Sequence, residues 1–414
     1  MAHELRRVAI IGGTRIPFCR SNTMYSEKSN LDMLAATLEG LVQKFALEGA
    51  QLDEVVAGAV TMHSRDWSIA REAVLSTSLS PLTPGITLQQ ACGTSLQAAL
   101  SIGAKIASGQ IDCGIAAGTD TTSDPPIVFG PTLSHRLVKA GAAKSFQQRL
   151  RAFRGFGPGE LKPLTPAAAE PRTGLSMGQH CERMAREWHI AREAQDRLAL
   201  ESHQKASAAY SEGFFDSLIT PWHGVMRDNN LRSDSSMEQL AKLRTSFGTG
   251  PEATLTAGNS TPFTDGAAAV LLASEDWAAE RNLPVQAYLV AGRSTAVDYV
   301  HDEGLLMAPT VAVSDLLRRQ GLQLQDFDFY EIHEAFAAQV LCTLAAWESE
   351  EYCRRRLGRE SPLGSVDRTR LNIKGSSLAV GHPFAATGAR IMATLAQLLE
   401  SAGSGRGLIS VCTA

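Results

Sequence analysis

The 414-residue chain has no long apolar run. Near its N-terminus only Val8, Ala9, Ile10 and Ile11 are consecutively apolar, too few for a signal-peptide core, and no stretch approaches the about 20 residues of a membrane-spanning helix. It has no charge excess either: 39 basic and 43 acidic residues leave a net −4, which argues against a general nucleic-acid binder. The seven cysteines are odd in number and irregularly spaced, so they do not read as a disulfide framework. No cysteine–histidine cluster has structural-zinc spacing, and the adjacent His180 and Cys181 do not suffice. Phosphate-binding fingerprints are absent: Gly12-Gly13-Thr14 lacks the dinucleotide glycine spacing and no Gly-Lys-Ser/Thr occurs. His333-Glu334 would open a zinc-protease motif only with a histidine at 337, where Ala337 stands. The composition implies a soluble protein of a reducing compartment, the cytoplasm.

What is present is 44% hydrophobic content, enough for an ample core, and a length suggesting two or three domains or lobes. The first third alternates strand-like runs (8–11, 55–60, 86–89 and 114–117) with helical patterns (31–47 and 95–110), which favours an α/β layered sheet. From about 121 to 255 the texture changes. Pro125, Pro126, Pro131, Pro158, Pro163, Pro166 and Pro171 break long elements, so much of this region reads as loop, with helical patterns over 177–188 and 192–212. Alternation resumes at 267–273, 285–290, 311–320, 327–331, 335–347, 386–400 and 408–412. The expected plan is an N-terminal α/β half over 1–120, completed by about 256–274, a loop domain over 121–255 and a C-terminal α/β half over 275–414. Arg136, Lys139, Lys144, Arg149, Arg151, Arg154 and Lys162 face the lone acid Glu160 within 134–162. Such a run is either a solvated face or a surface for an anionic ligand, a phosphorylated carrier, a membrane or a partner subunit.

Four residues carry the chemistry. Cys92 lies between a β-prone run and a helical run, facing the free N–H groups and positive end of a helix, an environment that favours a thiolate. By itself it reads equally as a small buried residue. His382 sits in Gly381-His382-Pro383, whose neighbours restrict the backbone; it is either a structural turn or the base of a dyad with Cys92. His333, at a strand-to-helix junction, is either a satisfied helix-start histidine or a donor to a developing oxyanion. Cys412, ending a late apolar strand, is either a core thiol or a second acid/base group. The small-residue loop 256–266 suits the close approach of an extended ligand, or ordinary turn chemistry.

Cys92-Gly93-Thr94-Ser95-Leu96-Gln97-Ala98, the loop beginning Ala257-Gly258-Asn259-Ser260-Thr261, His333-Glu334-Ala335-Phe336-Ala337, Gly381-His382-Pro383 and the late Cys412 stand in the order found in thiolases. The resemblance spans essentially the whole chain. His333-Glu334-Ala335-Phe336, the Gly381-to-Gly388 run and the basic loop after Pro131 resemble the β-subunits of fatty-acid oxidation (trifunctional) complexes. The resemblance implies a five-layer αβαβα fold of two similar halves with an inserted loop domain. It implies CoA-dependent cleavage of a 3-ketoacyl-CoA, in fatty-acid β-oxidation, to acetyl-CoA and an acyl-CoA two carbons shorter, through an acyl-enzyme on Cys92. His382 would be the base, His333 the enolate-stabilising donor and Cys412 the proton donor. Met177, Phe247 and Thr261 would line the pantetheine channel, with Ala335 and Phe336 at its base. CoA is then a substrate, with no permanently bound cofactor and no metal. A homodimer or dimer of dimers is implied. A hydratase/dehydrogenase α-subunit, the CoA phosphates or a membrane would meet the basic loop 136–162.

Three departures accompany the resemblance. Gly375-Ser376-Ser377 replaces a common Gly-Gly pair, and Gly93-Thr94-Ser95 differs after the nucleophile. Relatives continue past the Cys412 motif into a last strand, whereas this sequence stops at Ala414, whose N–H would pair with that of Cys92 in a second oxyanion hole. A shortened chain or impaired activity is the expectation on that ground. The competing readings are a biosynthetic acetoacetyl-CoA-forming thiolase, another Claisen-condensing enzyme and a non-catalytic scaffold subunit. Decarboxylating relatives lack an acid/base thiol, so Cys412 argues against that branch.

Overall fold

In a computed structural model, residues 5–301 and 303–413 of the chain are described. In chain order the first elements are β1 (Val8–Arg15), β2 (Cys19–Arg20), α1 (Asn30–Lys44), β3 (Glu54–Gly58), α2 (Ile69–Leu75), β4 (Gly85–Thr87), α3 (Thr94–Ala107) and β5 (Cys113–Asp120). Ser29 and Asp32 form a reciprocal capping box that starts α1. The insertion follows, with β6 (Val128–Phe129), α4 (Pro131–Ala142), α5 (Phe146–Ala152), β7 (Pro163–Leu164), α6 (Met177–Glu187), α7 (Arg192–Ser211) and α8 (Met237–Ala241). The chain then runs through β8 (Thr264–Ser274), α9 (Glu275–Glu280), β9 (Ala287–Tyr288), α10 (Ala308–Gln320) and β10 (Phe329–Ile332). It finishes with α11 (Ala337–Glu348), α12 (Glu350–Arg356), α13 (Ser377–Val380), α14 (Thr387–Ala402) and β11 (Gly407–Ser410).

The main sheet has the order β4-β3-β5-β8-β1-β9, with β2 paired to β8. β3 runs parallel to β4 and β5, while β8 lies antiparallel between β5 and β1. All eleven residues of β8 are buried, because both sheet faces are covered. Period-two alternation sorts the side chains. Ala9, Ile11, Val55 and Leu271 meet Leu34, Leu38 and Leu41 of α1 and Ile69 of α2 on one face. Ile10, Val56, Ala268 and Val270 meet Ala98 and Ile102 of α3 and Ala389 and Met392 of α14 on the other. β10 and β11 pair in parallel as a second sheet beyond α14. Its far face is covered by Val313 and Leu317 of α10 and by Val340, Leu344 and Trp347 of α11. Helix, sheet, helix, sheet, helix is the αβαβα order that the sequence led us to expect.

Three details depart from expectation. The two halves differ in size, since the second sheet has two strands among the described residues. The run read as a strand over 285–290 forms only β9, and β9 hydrogen-bonds to Ala9 and Ile10 in the first sheet. The proline-rich stretch read as loop contains α4 and α5. Pro131 does not break α4 because it stands in the first turn, where its missing N–H has no intrahelical partner to lose.

Close backbone contacts bring α3 and α14 together. A Cβ on Gly388 would lie 2.4 Å from the Leu96 nitrogen, and one on Gly118 would lie 2.0 Å from the Ala385 oxygen. Ser95 Oγ accepts from the Ala389 N–H at 2.8 Å, and the buried Asp120 carboxylate accepts from the Ala385 N–H at 2.9 Å. The segment 381–389 is thereby clamped over the start of α3.

Candidate active site

Cys92 occupies a tight turn between β4 and α3. Ala91 has φ +43°, a left-handed conformation that costs a non-glycine residue about 1–3 kcal/mol and recurs at functional turns. Thr94 staples the turn: its Oγ1 accepts from the Gln90 N–H at 2.9 Å and donates to the Ala91 carbonyl at 2.7 Å. Six of the seven cysteines are buried, whereas Cys92 is partly exposed. That distribution favours the reactive reading of Cys92 over the packing one.

His382 follows Gly381, whose φ of +103° suits glycine alone and which lies against Thr264. Thr264 Oγ1 accepts from the His382 backbone N–H at 2.6 Å. On the ring, Nδ1 lies 2.6 Å from Thr387 Oγ1 and Nε2 lies 3.1 Å from Cys92 Sγ. Two residues 290 positions apart thus meet at hydrogen-bond distance. Burial, reinforced by the Arg390 charge, holds the imidazole neutral down to about pH 3.

His333 is fully buried in the turn from β10 to α11, its N–H donating to the Ser410 carbonyl at 2.8 Å. Its ring centroid lies 4.1 Å from that of His382. Nδ1 is 2.8 Å from Ser377 Oγ, and Nε2 has no hydrogen-bond partner among the described residues. Burial and then the His382 and Arg390 charges push its pKa well below the usual histidine value. The next residue, Glu334, is tied down by Ser202 Oγ at 2.7 Å, Asn372 Nδ2 at 2.8 Å and the Leu378 N–H at 3.2 Å. It joins the His333 loop to α7 and α13.

The reactive atoms of Cys92, His333 and His382 all lie within 4.8 Å of one another. This is also the grouping of histidine, cysteine and acidic side chains, among the described residues, that is close enough to hold a metal ion. Cys412 stands apart from the trio. It is buried just after β11 among Leu255, Ala335, Phe336 and Cys342, and burial pushes its thiol up to about 12. The next residue reaches the nucleophile turn, for a Cβ on Gly93 would lie 2.7 Å from Thr413 Cγ2. Ala414, the expected second oxyanion donor, lies outside the described residues.

The five candidate channel residues gather beside this site. Met177, Phe247, Ala335 and Phe336 share one apolar cluster, and the Phe247 and Phe336 rings meet edge to face at 5.8 Å. The Thr261 N–H and Oγ1 both donate to the Ala335 carbonyl at 3.1 Å. A separate cavity of about 910 Å³ touches Gln90, Gly93 and Thr413 at the back of the Cys92 turn, without reaching either site histidine. Arg136, read as part of a basic run that is a solvated face or an anion-binding surface, is engaged within the segment itself. Its guanidinium binds Glu160 at 2.8 Å and the carbonyls of Ala152, Arg154 and Gly155.

Residues 8–276 match the family model described as Thiolase, N-terminal domain, and residues 283–414 match Thiolase, C-terminal domain. The chain is 39% identical to a 3-ketoacyl-CoA thiolase of Shewanella sp. (strain W3-18-1), over 99% of this chain and 94% of that protein. A 3-ketoacyl-CoA thiolase of Yersinia pestis (strain Pestoides F) is similar to the same extent, at 39% identity with the same coverage. Among solved structures, the Bacillus anthracis acetyl-CoA acetyltransferase superposes with a TM-score of 0.82 at 26% identity, covering 100% of this chain and 97% of that one. Human mitochondrial 3-ketoacyl-CoA thiolase does so with a TM-score of 0.82 at 25% identity, covering 99% and 96%. With both family domains matched end to end and this fold in common, the chain belongs to the thiolase family.

Proposed function

We propose that the chain is a 3-ketoacyl-CoA thiolase, an acyltransferase that cleaves a 3-ketoacyl-CoA with CoA to give acetyl-CoA and an acyl-CoA two carbons shorter. The observation that carries this reading is the 3.1 Å contact between Cys92 Sγ and His382 Nε2. The names of the relatives at 39% identity support the substrate class.

His382, neutral and donating from Nδ1 to Thr387, takes the Cys92 proton at Nε2. The thiolate attacks the 3-keto carbon, and the bond between carbons 2 and 3 breaks. The shortened acyl group remains on Cys92 as a thioester, and the electron pair moves into the acetyl-CoA enolate. His333 Nε2 donates to the enolate oxygen. The Cys412 thiol, kept protonated by its burial, gives its proton to the enolate carbon. A second CoA gives its thiol proton to the Cys412 thiolate and attacks the Cys92 thioester; Cys92 leaves as a thiolate and regains its proton from His382. Met177, Phe247, Thr261, Ala335 and Phe336 form the wall along the pantetheine arm. Thiolysis assayed with CoA and 3-ketoacyl-CoAs of increasing chain length tests the reading. Turnover that persists at full rate in Cys92→Ser contradicts it.

The assembly is a homodimer at least, to be measured by sedimentation equilibrium. The odd number and irregular spacing of the seven cysteines support a reducing compartment such as the cytoplasm. Among the described residues no helix is long and apolar enough to cross a membrane. Segment 136–162 is a docking surface for anionic lipid. Exposed Val138, Phe146 and Leu150 lie on α4 and α5 among Lys139, Lys144, Arg149 and Arg151. Co-sedimentation with phosphatidylglycerol vesicles, lost in Phe146→Glu, is the expected result; equal recovery of both proteins in the supernatant contradicts it.

A further inference from the structure

The Ser377 hydroxyl sits between two partners, Arg390 Nη2 at 2.6 Å and His333 Nδ1 at 2.8 Å, and both it and Arg390 are buried. A guanidinium donates and never accepts. The Arg390 contact therefore takes a lone pair of Ser377 Oγ and leaves the hydroxyl proton to find an acceptor elsewhere. His333 Nδ1 is the group in place to accept it. A ring nitrogen that accepts carries no proton, so the proton of the neutral imidazole is on Nε2. Nε2 is buried and has no hydrogen-bond partner among the described residues, and the His333 ring presents a nitrogen within 4.8 Å of Cys92 Sγ and of a His382 nitrogen.

We propose that Ser377, oriented by Arg390, is a positioning residue that fixes His333 in its Nε2–H form and so aims a donor at the thioester oxygen of the bound substrate. The inference deepens the proposed thiolase reading and rests on it. Arg390 reaches Ser376 Oγ as well, at 3.2 Å, which fixes the plane of the guanidinium. The opposite tautomer would turn a lone pair toward the thiolate and the developing enolate, adding repulsion where negative charge grows. His382 has the converse arrangement, with its bare Nε2 toward Cys92 and Nδ1 beside Thr387. Two neighbouring imidazoles thus hold opposite tautomers, one set by a hydroxyl that donates and the other by a hydroxyl that accepts. The groups facing His333 are His382 and Arg390 directly, with Glu331 and Glu334 behind the guanidinium.

The test combines spectroscopy with two half-reactions. Long-range proton–nitrogen correlation on protein labelled with ¹⁵N-histidine, with His333 assigned by its loss in His333→Ala, reads the tautomer directly. The expected result is a proton on Nε2 in the wild type and a shift toward Nδ1–H in Ser377→Ala. Thiolysis kcat should fall about ten- to a hundredfold in Ser377→Ala, the usual cost of removing a group that orients a functional histidine. KM and acyl exchange between Cys92 and CoA should stay unchanged, and Ser377→Thr, which keeps the hydroxyl, should restore kcat. An Nδ1–H wild-type ring, or full thiolysis in Ser377→Ala while His333→Ala is inactive, overturns the proposal and leaves the thiolase reading intact. Full thiolysis in His333→Ala overturns the role given to His333 itself.

Discussion

In the proposed mechanism Cys92, His382 and Cys412 divide the chemistry between a nucleophile, its base and an acid, and the divisions have separable consequences. Cys92→Ala should abolish acyl transfer, read as loss of exchange between labelled CoA and acyl-CoA. His382→Ala should depress the same exchange by lowering the thiolate fraction, leaving CoA affinity unchanged in a binding titration. Since burial keeps His382 neutral to about pH 3, kcat/KM for acylation should show no imidazole limb between about pH 5 and 8. A limb centred near 6.5 would show that the ring is solvated. For Cys412, burial from solvent keeps the thiol protonated and ready to donate. Cys412→Ala should therefore block deuterium exchange into the acetyl-CoA methyl while Cys92 still acylates from a simple acyl-CoA. Equal loss of both would remove the acid role. All four proposed residues were singled out from the sequence, and the structure brings Cys92, His333 and His382 together. Thr264, Thr387, Ser377 and Arg390 were not singled out as partners, because a hydroxyl that fixes a ring nitrogen leaves no spacing rule; only the fold brings Ser377 and Arg390 to His333.

At the scale of elements, the site is held by the approach of α14 to α3. Gly388→Ala would press a methyl into the Leu96 backbone at 2.4 Å, and neither backbone can yield cheaply. The expected cost is about 1–3 kcal/mol of stability from overpacking. An accompanying fall in acylation rate is expected as His382 moves off Cys92. Unchanged thermal midpoint and rate would show that the two helices are free to separate. The sequence revealed most of these elements through their periodicity, including the strand–turn–helix around Cys92 and the helices that became α7 and α14. α4 escaped because Pro131 was weighed as a breaker without regard to its position in the first turn. That segment 256–274 joins the first half was expected, but the strand partners of β8 were not, because β1 and β5 lie more than a hundred residues earlier and alternation along one strand cannot name its partners.

Across the whole molecule, the layers converge on a buried polar seam behind the site, where Glu331, Glu334 and Arg390 are sealed from solvent. Burial raises the Glu331 carboxyl from 4.5 to about 8, against the pull of Arg390. The folded state therefore binds this proton more tightly than the unfolded chain does. Its contribution to stability is full below pH 4.5 and is lost as pH rises through 8. Denaturant titrations should show Glu331→Gln gaining on the wild type across that window, with the gap closing below pH 4.5; a gap independent of pH would contradict this. The fold class was legible because sheet and helix runs alternate along the sequence, whereas the unequal sheets depended on β9 choosing β1 over the second sheet. The central claim, an acyl group carried transiently on one sulfur, is tested most directly by mass spectrometry of peptides after acid quench of enzyme mixed with a 3-ketoacyl-CoA. The account requires the shortened acyl mass on the peptide that contains Cys92, and its removal by added CoA. Acylation of any other cysteine, or turnover with an unmodified Cys92 peptide throughout, would contradict it.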